Sequence, residues 1–319
     1  MIMKLLTKAT VFLAAATLAL GGCSSNSGDD ASNDVITIGV AVPNQEAPFF
    51  NGVRQAIEAE AEATTDREVK IIVVDAKDSA DTQVSQIQDL ITQDVDAIIY
   101  IPAGATAATV PVRSAHAAGI PIVTVDRNPE EPGDTFIATD AEGASRELGE
   151  YVVEQTNGEG KLAVIQGQLG TTPEEMRAKG FDGVIADTNI EKVAEQASDA
   201  WHRDEGFSIA QDMLQAHPEI TIIFGRADAL ALGAAQAVRG AGMEDQVMIV
   251  GFDGDPDGLE AVRDGVIDAT MCQQVNKIGQ LSLQSAIKLA DGEELPPEQL
   301  QDAILVTSDN AEEYIANHP

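Results

Sequence analysis

Hydrophobic and polar positions change their spacing at regular intervals along the chain. Val35–Val42 (VITIGVAV) is a continuous apolar run rich in β-branched residues, which is typical of a buried strand. In Asn51–Ala63 the apolar residues recur every three or four positions, which predicts an amphipathic helix. Because this alternation of strand and helix continues, we expect parallel strands joined by right-handed crossover helices.

The alternation pauses once and then begins again. The polar segment Arg127–Asp134 interrupts it, a short strand is predicted at Thr135–Asp140, and a helical pattern starts at Gly143. Later strands are predicted in KLAVIQG, KVAEQAS, ITIIFG and VMIVGFD. The pattern therefore predicts an α/β fold of two similar, doubly wound parallel-sheet modules, with the change from one to the other near Thr139–Asp140.

The N-terminal segment has the character of an export signal rather than of a folded domain. Lys4 and Lys8 precede an apolar run over Val11–Leu20, which is short for a bilayer-spanning helix. Small residues then lead to a cysteine. We predict a signal peptide over residues 1–22.

The residues around Cys23 (LGGCSS) resemble the cleavage box of bacterial lipoproteins. The resemblance implies that Cys23 is lipidated and becomes the new N-terminus; ordinary signal cleavage beside an incidental cysteine is the alternative. Residues 23–34 are small, polar and acidic, so we expect a flexible tether. The protein is expected to be extracytoplasmic and lipid-anchored to the cell membrane.

Length and charge narrow the classes of function. The 319 residues suffice for two domains of ordinary size, and an apolar content of 44% is typical of a globular protein. The formal net charge is −34. Such acidity argues against a nucleic-acid partner, because no basic surface would displace counterions from phosphates. A solvated acidic surface is the simplest interpretation.

The carboxyl ends of the predicted strands are the expected place for a ligand, as in other open α/β sheets. These ends fall at Pro43–Phe50, Ile101–Pro102, Asp126–Arg127, Gly167–Thr172, Trp201–Arg203, Arg226–Asp228 and Phe252–Asp255. If the two modules face each other, all of them meet in one cleft.

The sequence offers little for catalysis. Of the four histidines, His116, His202, His217 and His318, only His202 stands at a strand end, and no serine or cysteine nucleophile pairs with it in the sequence pattern. The motifs HExxH, CxxC and GxxxxGK[ST] are missing from the sequence. We therefore expect a non-enzyme that needs no cofactor.

The stretch Val250–Leu259 (VGFDGDPDGL) allows three interpretations: a metal loop, a catalytic acid, or part of a site for a neutral polar ligand. Its alternating aspartates match the start of an EF-hand calcium loop. However, the last position of such a loop holds Asp264 rather than glutamate, and a strand precedes it where a helix is required. Asp253 is the expected ligand acceptor, and Asp255 is expected to cap a helix that Pro256 begins. We expect no metal.

The strand ends carry the groups that a polyhydroxylated ligand requires. Aromatic rings can pack on the C–H faces of a sugar, while carboxylates, guanidinium groups and amides bond its hydroxyls. The candidates are Phe49, Phe50, Trp201, Asp126, Arg127, Arg177, Arg203, Asp253 and Gln273.

Six segments together resemble the ribose-type periplasmic sugar-binding proteins, which are substrate-binding subunits of ABC importers. They are PFF at Pro48–Phe50, IPIVTVDR at Ile120–Arg127, RAKGF at Arg177–Phe181, ALALGAAQA at Ala229–Ala237, IVGFDGDPDG at Ile249–Gly258 and ATMCQQVNKIGQ at Ala269–Gln280. The resemblance extends from Val35 to about Thr307.

The resemblance implies two lobes, type I in fold, that three chain crossings join into a hinge. Carried over, the N-terminal lobe is 35–139 plus 274–302, and the C-terminal lobe is 140–273 plus 303–319. It implies a monomer that captures a monosaccharide or polyol by hinge closure and delivers it to a membrane permease. The same fold also serves proteins that present a ligand to a chemoreceptor or sensor kinase, or that bind an autoinducer.

The family's site residues carry over by position. The expected ligand contacts are Phe49, Phe50, Asp126, Arg127, Arg177, Trp201, Asp253 and Gln273, with Asp228 and Arg203 in support. Four positions depart from the ribose binders by losing a hydrogen-bonding side chain: Pro43, Ala47, Ile101 and Ala227. We therefore expect a pentose other than ribose, a polyol, or another ligand with fewer or relocated hydroxyls.

Overall fold

The computed structural model describes residues 35–105 and 107–319. The predicted signal peptide, the tether and Cys23 lie outside the described residues. In chain order, the elements are β1 (Val35–Val42), α1 (Pro48–Ala63), β2 (Glu68–Asp75), α2 (Ala80–Thr92), β3 (Ala97–Tyr100), α3 (Thr109–Ala118), β4 (Ile122–Val125), β5 (Thr135–Thr139), α4 (Ala141–Thr156), β6 (Glu159–Gln166), α5 (Thr172–Ile185), β7 (Asn189–Ala197), α6 (Arg203–Ala216), β8 (Ile222–Gly225), α7 (Asp228–Ala241), β9 (Met248–Asp253), α8 (Pro256–Arg263), β10 (Ala269–Gln273), α9 (Val275–Ala290), β11 (Glu298–Gln301), β12 (Ala303–Thr307) and α10 (Ala311–Ala316).

These elements build two six-stranded sheets from the described residues. The first sheet has the order β11-β5-β4-β3-β1-β2, and the second has the order β12-β10-β9-β8-β6-β7. All neighbouring strands of the first sheet are parallel. The predicted α/β class with two parallel-sheet modules is therefore confirmed.

One edge strand departs from the parallel pattern. Strand β12 pairs with β10 in the antiparallel sense, so that Ala269 lies opposite Thr307. Helix α9 and strand β11 separate the two strands in the chain, and β12 follows β11 after the single residue Asp302. Neither β11 nor β12 was predicted from the sequence; the edge strand β11 (EQLQ) is mostly polar, whereas β12 (AILVT) is mostly apolar.

Helices cover both faces of each sheet, which is why the central strands are apolar on both sides. On the first sheet, α1 and α9 pack on one face, and α2 and α3 pack on the other. On the second sheet, α6, α7 and α8 cover one face, while α4 and α5 cover the other. Each sheet therefore has its own pair of hydrophobic cores.

The chain passes between the two sheets at three places within the described residues. These are between β5 and α4, between β10 and α9, and between β11 and β12. At the first of them Asp140 caps α4, where its Oδ1 accepts a hydrogen bond from the backbone N–H of Gly143 at 3.0 Å. The lobe boundaries themselves stay a prediction.

Candidate functional site

A cavity of about 260 Å³ lies where strand ends of both sheets come together. Eight of the residues predicted from the sequence line it: Phe49, Phe50, Asp126, Arg127, Arg177, Trp201, Arg203 and Asp253. Gln273 and Asp228 do not line this cavity, although both contact groups that do. The cavity thus collects side chains from segments that are far apart in the sequence.

The first wall is aromatic. Pro48 begins α1 directly after the first strand-end loop, and this places Phe49 and Phe50 in the first helical turn. Their rings meet edge to face with centroids 5.6 Å apart. The guanidinium of Arg127 lies 5.2 Å from the centroid of the Phe50 ring. Phe50 therefore offers an apolar face beside a fixed positive charge.

Asp126 and Arg127 follow β4 and form a buried ion pair. Arg127 Nε lies 3.6 Å from Asp126 Oδ2, and Arg127 Nη1 donates a hydrogen bond to the carbonyl oxygen of Pro102 at 2.8 Å. Burial raises the pKa of Asp126, while Arg127 and Arg177 act to lower it. Burial lowers the pKa of Arg127 against the opposing effect of Asp126. The pair holds charged hydrogen-bonding groups at the cavity wall.

Asp253, at the end of β9, is the centre of a second buried network. Its Oδ1 accepts hydrogen bonds from Arg177 Nη2 and from Gln273 Nε2, both at 2.8 Å. The Oε1 of Gln273 in turn accepts a hydrogen bond from Thr139 Oγ1 at 2.6 Å. Burial raises the pKa of Asp253 to about 6, although Arg177 acts to lower it. Gln273 and Thr139 thereby connect Asp253 to two of the three places where the chain passes between the sheets.

Arg177 is clamped between protein groups on several sides. Its Nη1 donates a hydrogen bond to the carbonyl oxygen of Arg226, and its guanidinium lies 3.9 Å from the centroid of the Phe252 ring. The Trp201 ring lies 5.5 Å away on the cavity side. Arg177 lies in helix α5 and is buried at the cavity wall, where the sequence predicted a ligand contact.

The position of the Trp201 indole requires a glycine at residue 167. A Cβ at Gly167 would lie 1.9 to 2.2 Å from indole ring atoms. The indole Nε1 is buried and has no hydrogen-bond partner among the described residues. Gly167 therefore allows the indole to lie flat over the end of β6.

Asp228 lies beneath the cavity and supports the loop that follows β9. It is fully buried, accepts a hydrogen bond from Thr270 Oγ1 at 2.6 Å, and accepts another from the backbone N–H of Asp255 at 2.9 Å. A Cβ at Gly251 or Gly258 would come within 2.2 Å of its carboxylate. Burial, reinforced by repulsion from Asp253, raises the pKa of Asp228 to about 8.

The prediction that the Asp255 side chain caps α8 is wrong. Asp255 occupies the N-cap position, but its side chain makes no capping hydrogen bond and instead lines the cavity. Gly254 turns the backbone between Asp253 and the helix, with a φ of +71°. Asp257 lies in the first turn of α8, where its Oδ2 lies 3.5 Å from Arg203 Nη1.

Four non-glycine residues of the cavity wall have a positive φ. The angles are 60° at Asp78, 61° at Asp126, 65° at Trp201 and 123° at Asp253. Such conformations are costly for residues with a Cβ and persist where the surrounding structure enforces them, as they commonly do at functional sites. Their coincidence at one cavity supports a functional role for it.

Several other residues of the cavity wall were not predicted from the sequence, among them Asn44 and Gln168. Asn44 Oδ1 accepts hydrogen bonds from the backbone N–H groups of Glu46 at 3.0 Å and Ala47 at 2.7 Å, and its Nδ2 donates to Asp78 Oδ1 at 2.7 Å. Asn44 thus positions the start of α1. Both residues fall inside strand-end segments that the sequence had marked, and an amide at a strand end was the available signal.

The structure also locates His202 and the positions at which the sequence departs from the ribose binders. His202 lines the wall, with its Nε2 3.9 Å from Asp78 Oδ2. Of the four departures from ribose binders, Ala47 and Ala227 line the cavity, whereas Ile101 is buried in the core of the first sheet. Within the described residues, no three His, Cys, Asp or Glu side chains gather in a way that could hold a metal ion.

Comparison with known proteins identifies the class. The family model of the periplasmic binding protein domain matches residues 38–294, so the chain belongs to the periplasmic binding protein family. The chain is 33% identical over 272 residues to the ribose import binding protein of Bacillus subtilis (strain 168), covering 85% of this chain and 86% of that protein. The predicted resemblance to ribose-type type I periplasmic binding proteins is confirmed.

Two further relatives extend the range of ligands. The xylitol-binding protein of Mycolicibacterium smegmatis is 30% identical over 318 residues, covering 97% of this chain and 88% of that protein. The crystal structure of an ABC transporter solute binding protein from Bacillus halodurans C-125 with bound myo-inositol matches with a TM-score of 0.82 at 30% identity, covering 88% of this chain and 97% of that chain. These relatives are binding proteins, and the comparisons support a solute-binding function.

No helix in the described parts of the chain combines the length and the apolar character needed to cross a membrane.

Proposed function

We propose that the protein is the substrate-binding lipoprotein of an ABC importer, which captures a monosaccharide or polyol in the cavity and delivers it to a membrane permease. The observation that carries this proposal is the wall of the 260 Å³ cavity. It combines the aromatic faces of Phe50 and Trp201 with the buried Arg127 and Arg177 and with Asp253, whose side chain is 12% exposed.

This combination matches the chemistry of a small polyhydroxylated molecule. A sugar has C–H faces that pack on aromatic rings, and hydroxyls that both donate to carboxylates and accept from guanidinium groups. Charge-assisted hydrogen bonds of this kind are the stronger ones, and the protein already holds their groups in place. The volume suits a monosaccharide-sized ligand better than a large one.

The class of ligand is supported from two directions. The relatives are named for ribose and xylitol, and one solved structure contains myo-inositol. In this chain, Ala47 and Ala227 present no hydrogen-bonding side chain to the cavity. A buried hydroxyl left unpaired costs about 1–3 kcal/mol. We therefore propose a pentose other than ribose, or a polyol.

Hinge closure is proposed as the means of capture. Closure around a ligand is a well-known motion of periplasmic binding proteins. Here, residues from both sheets form one wall, and the Asp253–Gln273–Thr139 network reaches the segments where the chain passes between the sheets. A ligand bonded to Asp253 would thus act directly on these segments.

A thermal-shift screen tests the binding proposal. The purified protein is heated with pentoses, hexoses, polyols and anionic metabolites, and Trp201→Ala is screened in parallel. We expect at least one neutral polyhydroxylated compound to raise the melting temperature of the wild type but much less that of Trp201→Ala, each measured against its own ligand-free value. Stabilisation by anions alone would contradict the sugar proposal.

The lipid anchor has its own test. Cells that express the protein are labelled with radioactive palmitate, and Cys23→Ala is compared with Cys272→Ala. We expect the label on the wild type and on Cys272→Ala, because Cys272 is fully buried in β10, and no label on Cys23→Ala. Label on Cys23→Ala would remove the anchor from the proposal.

Delivery to a permease is distinguished from ligand presentation to a chemoreceptor or sensor kinase by uptake. Cells lacking the protein are given the radiolabelled ligand found in the screen. Loss of uptake supports the importer role. Normal uptake with loss of a ligand-induced transcriptional or chemotactic response would favour the sensor role instead.

A further inference from the structure

Asp255 is a buried cavity carboxylate for which the protein supplies no partner. Its side chain lines the cavity, and the residue is only 8% exposed. Among residues 35–105 and 107–319, its carboxylate makes no hydrogen bond, and the capping bond that its position allows is not formed. Its backbone is engaged, because its N–H donates to Asp228 Oδ2 and its carbonyl oxygen accepts from the N–H of Leu259.

The other two deep carboxylates of the cavity are paired. Asp253 accepts hydrogen bonds from Arg177 and Gln273, and Asp126 lies 3.6 Å from Arg127. An ionised carboxylate in such a cavity needs a partner once a ligand enters and displaces its water, since an uncompensated buried charge is costly. Asp255 therefore differs from Asp253 and Asp126 because no side chain of the described residues pairs with its carboxylate.

Arg177, the cation whose charge acts to lower the pKa of Asp255, makes its hydrogen bonds to other groups. Its Nη2 donates to Asp253, and its Nη1 donates to the carbonyl oxygen of Arg226. Arg203 at the rim lies 3.5 Å from the exposed carboxylate of Asp257. These two arginines thus pair with carboxylates other than Asp255.

The charges of the described cavity wall are unbalanced as a whole. The acidic residues that line it are Glu46, Asp78, Asp126, Asp199, Asp253 and Asp255, against the arginines Arg127, Arg177 and Arg203. Of these, Asp126 and Asp255 are buried, as are Arg127 and Arg177, and the Asp253 side chain is 12% exposed. In this deep part of the cavity, the excess of one carboxylate over the arginines favours a cation over a neutral or anionic group.

The electrostatic surroundings of Asp255 also favour a cation. Burial raises its pKa well above the ordinary value, and repulsion from Asp253, Asp228 and Asp257 adds to the effect, while Arg177 alone among these neighbours acts to lower it. A cation placed beside Asp255 would favour its ionised form.

We infer that Asp255 binds the ammonium group of the ligand, and that the ligand class is therefore an amino sugar or an amino polyol. This inference rests on the proposed function and refines it. A hydroxyl can donate one hydrogen bond to Asp255 but leaves the negative charge in place. An ammonium group donates up to three hydrogen bonds and also supplies the missing counter-charge.

Matched ligand pairs test the inference by isothermal titration calorimetry at pH 7. The pairs are D-glucosamine with D-glucose, D-galactosamine with D-galactose, glucamine with sorbitol, and an aminodeoxyinositol with myo-inositol. In the wild type, we expect at least one amine to bind about 10- to 100-fold more tightly than its hydroxyl counterpart, which is the usual range for a hydrogen bond to a charged group.

Two variants separate this role from general effects of charge. Asp255→Asn should abolish the preference for the amine without lowering the melting temperature of the ligand-free protein, because the side chain makes no hydrogen bond in the protein and the variant removes a carboxylate whose charge burial disfavours. Glu260→Gln removes one exposed acid from the same helix and should retain the preference.

The outcomes distinguish the two proposals. If neutral compounds bind but no amine exceeds its counterpart, or if the preference persists in Asp255→Asn, the inference about Asp255 is overturned while the proposed function stands. If neither the amines nor the hydroxyl compounds bind, the proposed function fails, and the inference fails with it.

Discussion

The buried carboxyl group of Asp228 should make the stability of the ligand-free protein depend on pH. Its pKa is raised from 3.8 to about 8 in the folded protein. Because the folded-state pKa lies above the unfolded one, the stability gained from the protonated form is fully present below about pH 4 and is lost as pH rises to about 8. The ligand-free protein should therefore become less stable over this interval.

The change that isolates this effect is Asp228→Asn. The site tolerates little added volume, since Gly251 and Gly258 lie against the carboxylate, and asparagine has nearly the same shape. Its Oδ1 can accept from the backbone N–H of Asp255, and its Nδ2 can donate to the Thr270 hydroxyl, which rotates to accept. The variant therefore keeps both contacts and never carries the charge.

The pKa difference sets the size of the effect. At 1.36 kcal/mol for each pKa unit, it corresponds to at most about 6 kcal/mol of lost stability above pH 8. Relaxation of the surroundings and water from the cavity reduce such penalties. We expect Asp228→Asn to gain about 2 kcal/mol or more over the wild type between pH 4.5 and pH 8.

Urea unfolding followed by circular dichroism at pH 4.5, 6 and 8 measures this difference directly. Glu260→Gln, an exposed change of equal charge, serves as the control and should follow the wild-type profile. If the free energies of unfolding of the wild type and Asp228→Asn run parallel across the three pH values, the argument about Asp228 is refuted.

Three further substitutions test other parts of the site. Asp253→Ala should weaken ligand binding by about 100-fold, measured by calorimetry, because it removes a charged acceptor; an unchanged Kd would contradict its role. Gly167→Ala should displace the Trp201 ring, which a Cβ would approach to within 1.9 Å, and so lower affinity and alter tryptophan fluorescence; wild-type values for both would show that the indole is not held there. Glu174→Gln should lower the free energy of unfolding by about 3 kcal/mol, because the fully buried Arg226 loses a counter-charge 4.0 Å away; a loss below about 1 kcal/mol would exclude this.

The sequence predicted the elements of the fold best where the hydrophobic period was strong. Strand β1 occupies the predicted residues, and α1 ends at the predicted residue. Prediction failed at β11, whose four residues are mostly polar because it is an edge strand. An edge strand is stabilised by backbone pairing with its neighbour, and this leaves little trace in the pattern of side chains.

The site was predictable as a set of positions but not as a set of contacts. Eight predicted residues line one cavity because parallel strands place their carboxyl ends at the same edge. The sequence did not reveal that Gln273 lies behind Asp253 rather than in the cavity wall. It also indicated a helix cap at Asp255, whose local pattern is that of a cap although the side chain faces the cavity.

What the sequence by itself determined about this protein is its alternation of strands and helices, its two modules and the chemical character of the strand ends. These follow from local spacing, because helix and strand periods are properties of neighbouring residues. Only the tertiary structure decided which polar groups pair. Arg177 and Asp253 are 76 residues apart, and Thr139 and Gln273 are 134 apart. The first pair depends on how α5 packs on the second sheet, and the second pair depends on how the two sheets meet. Asp255 is left as the buried cavity carboxylate without a partner among the described residues.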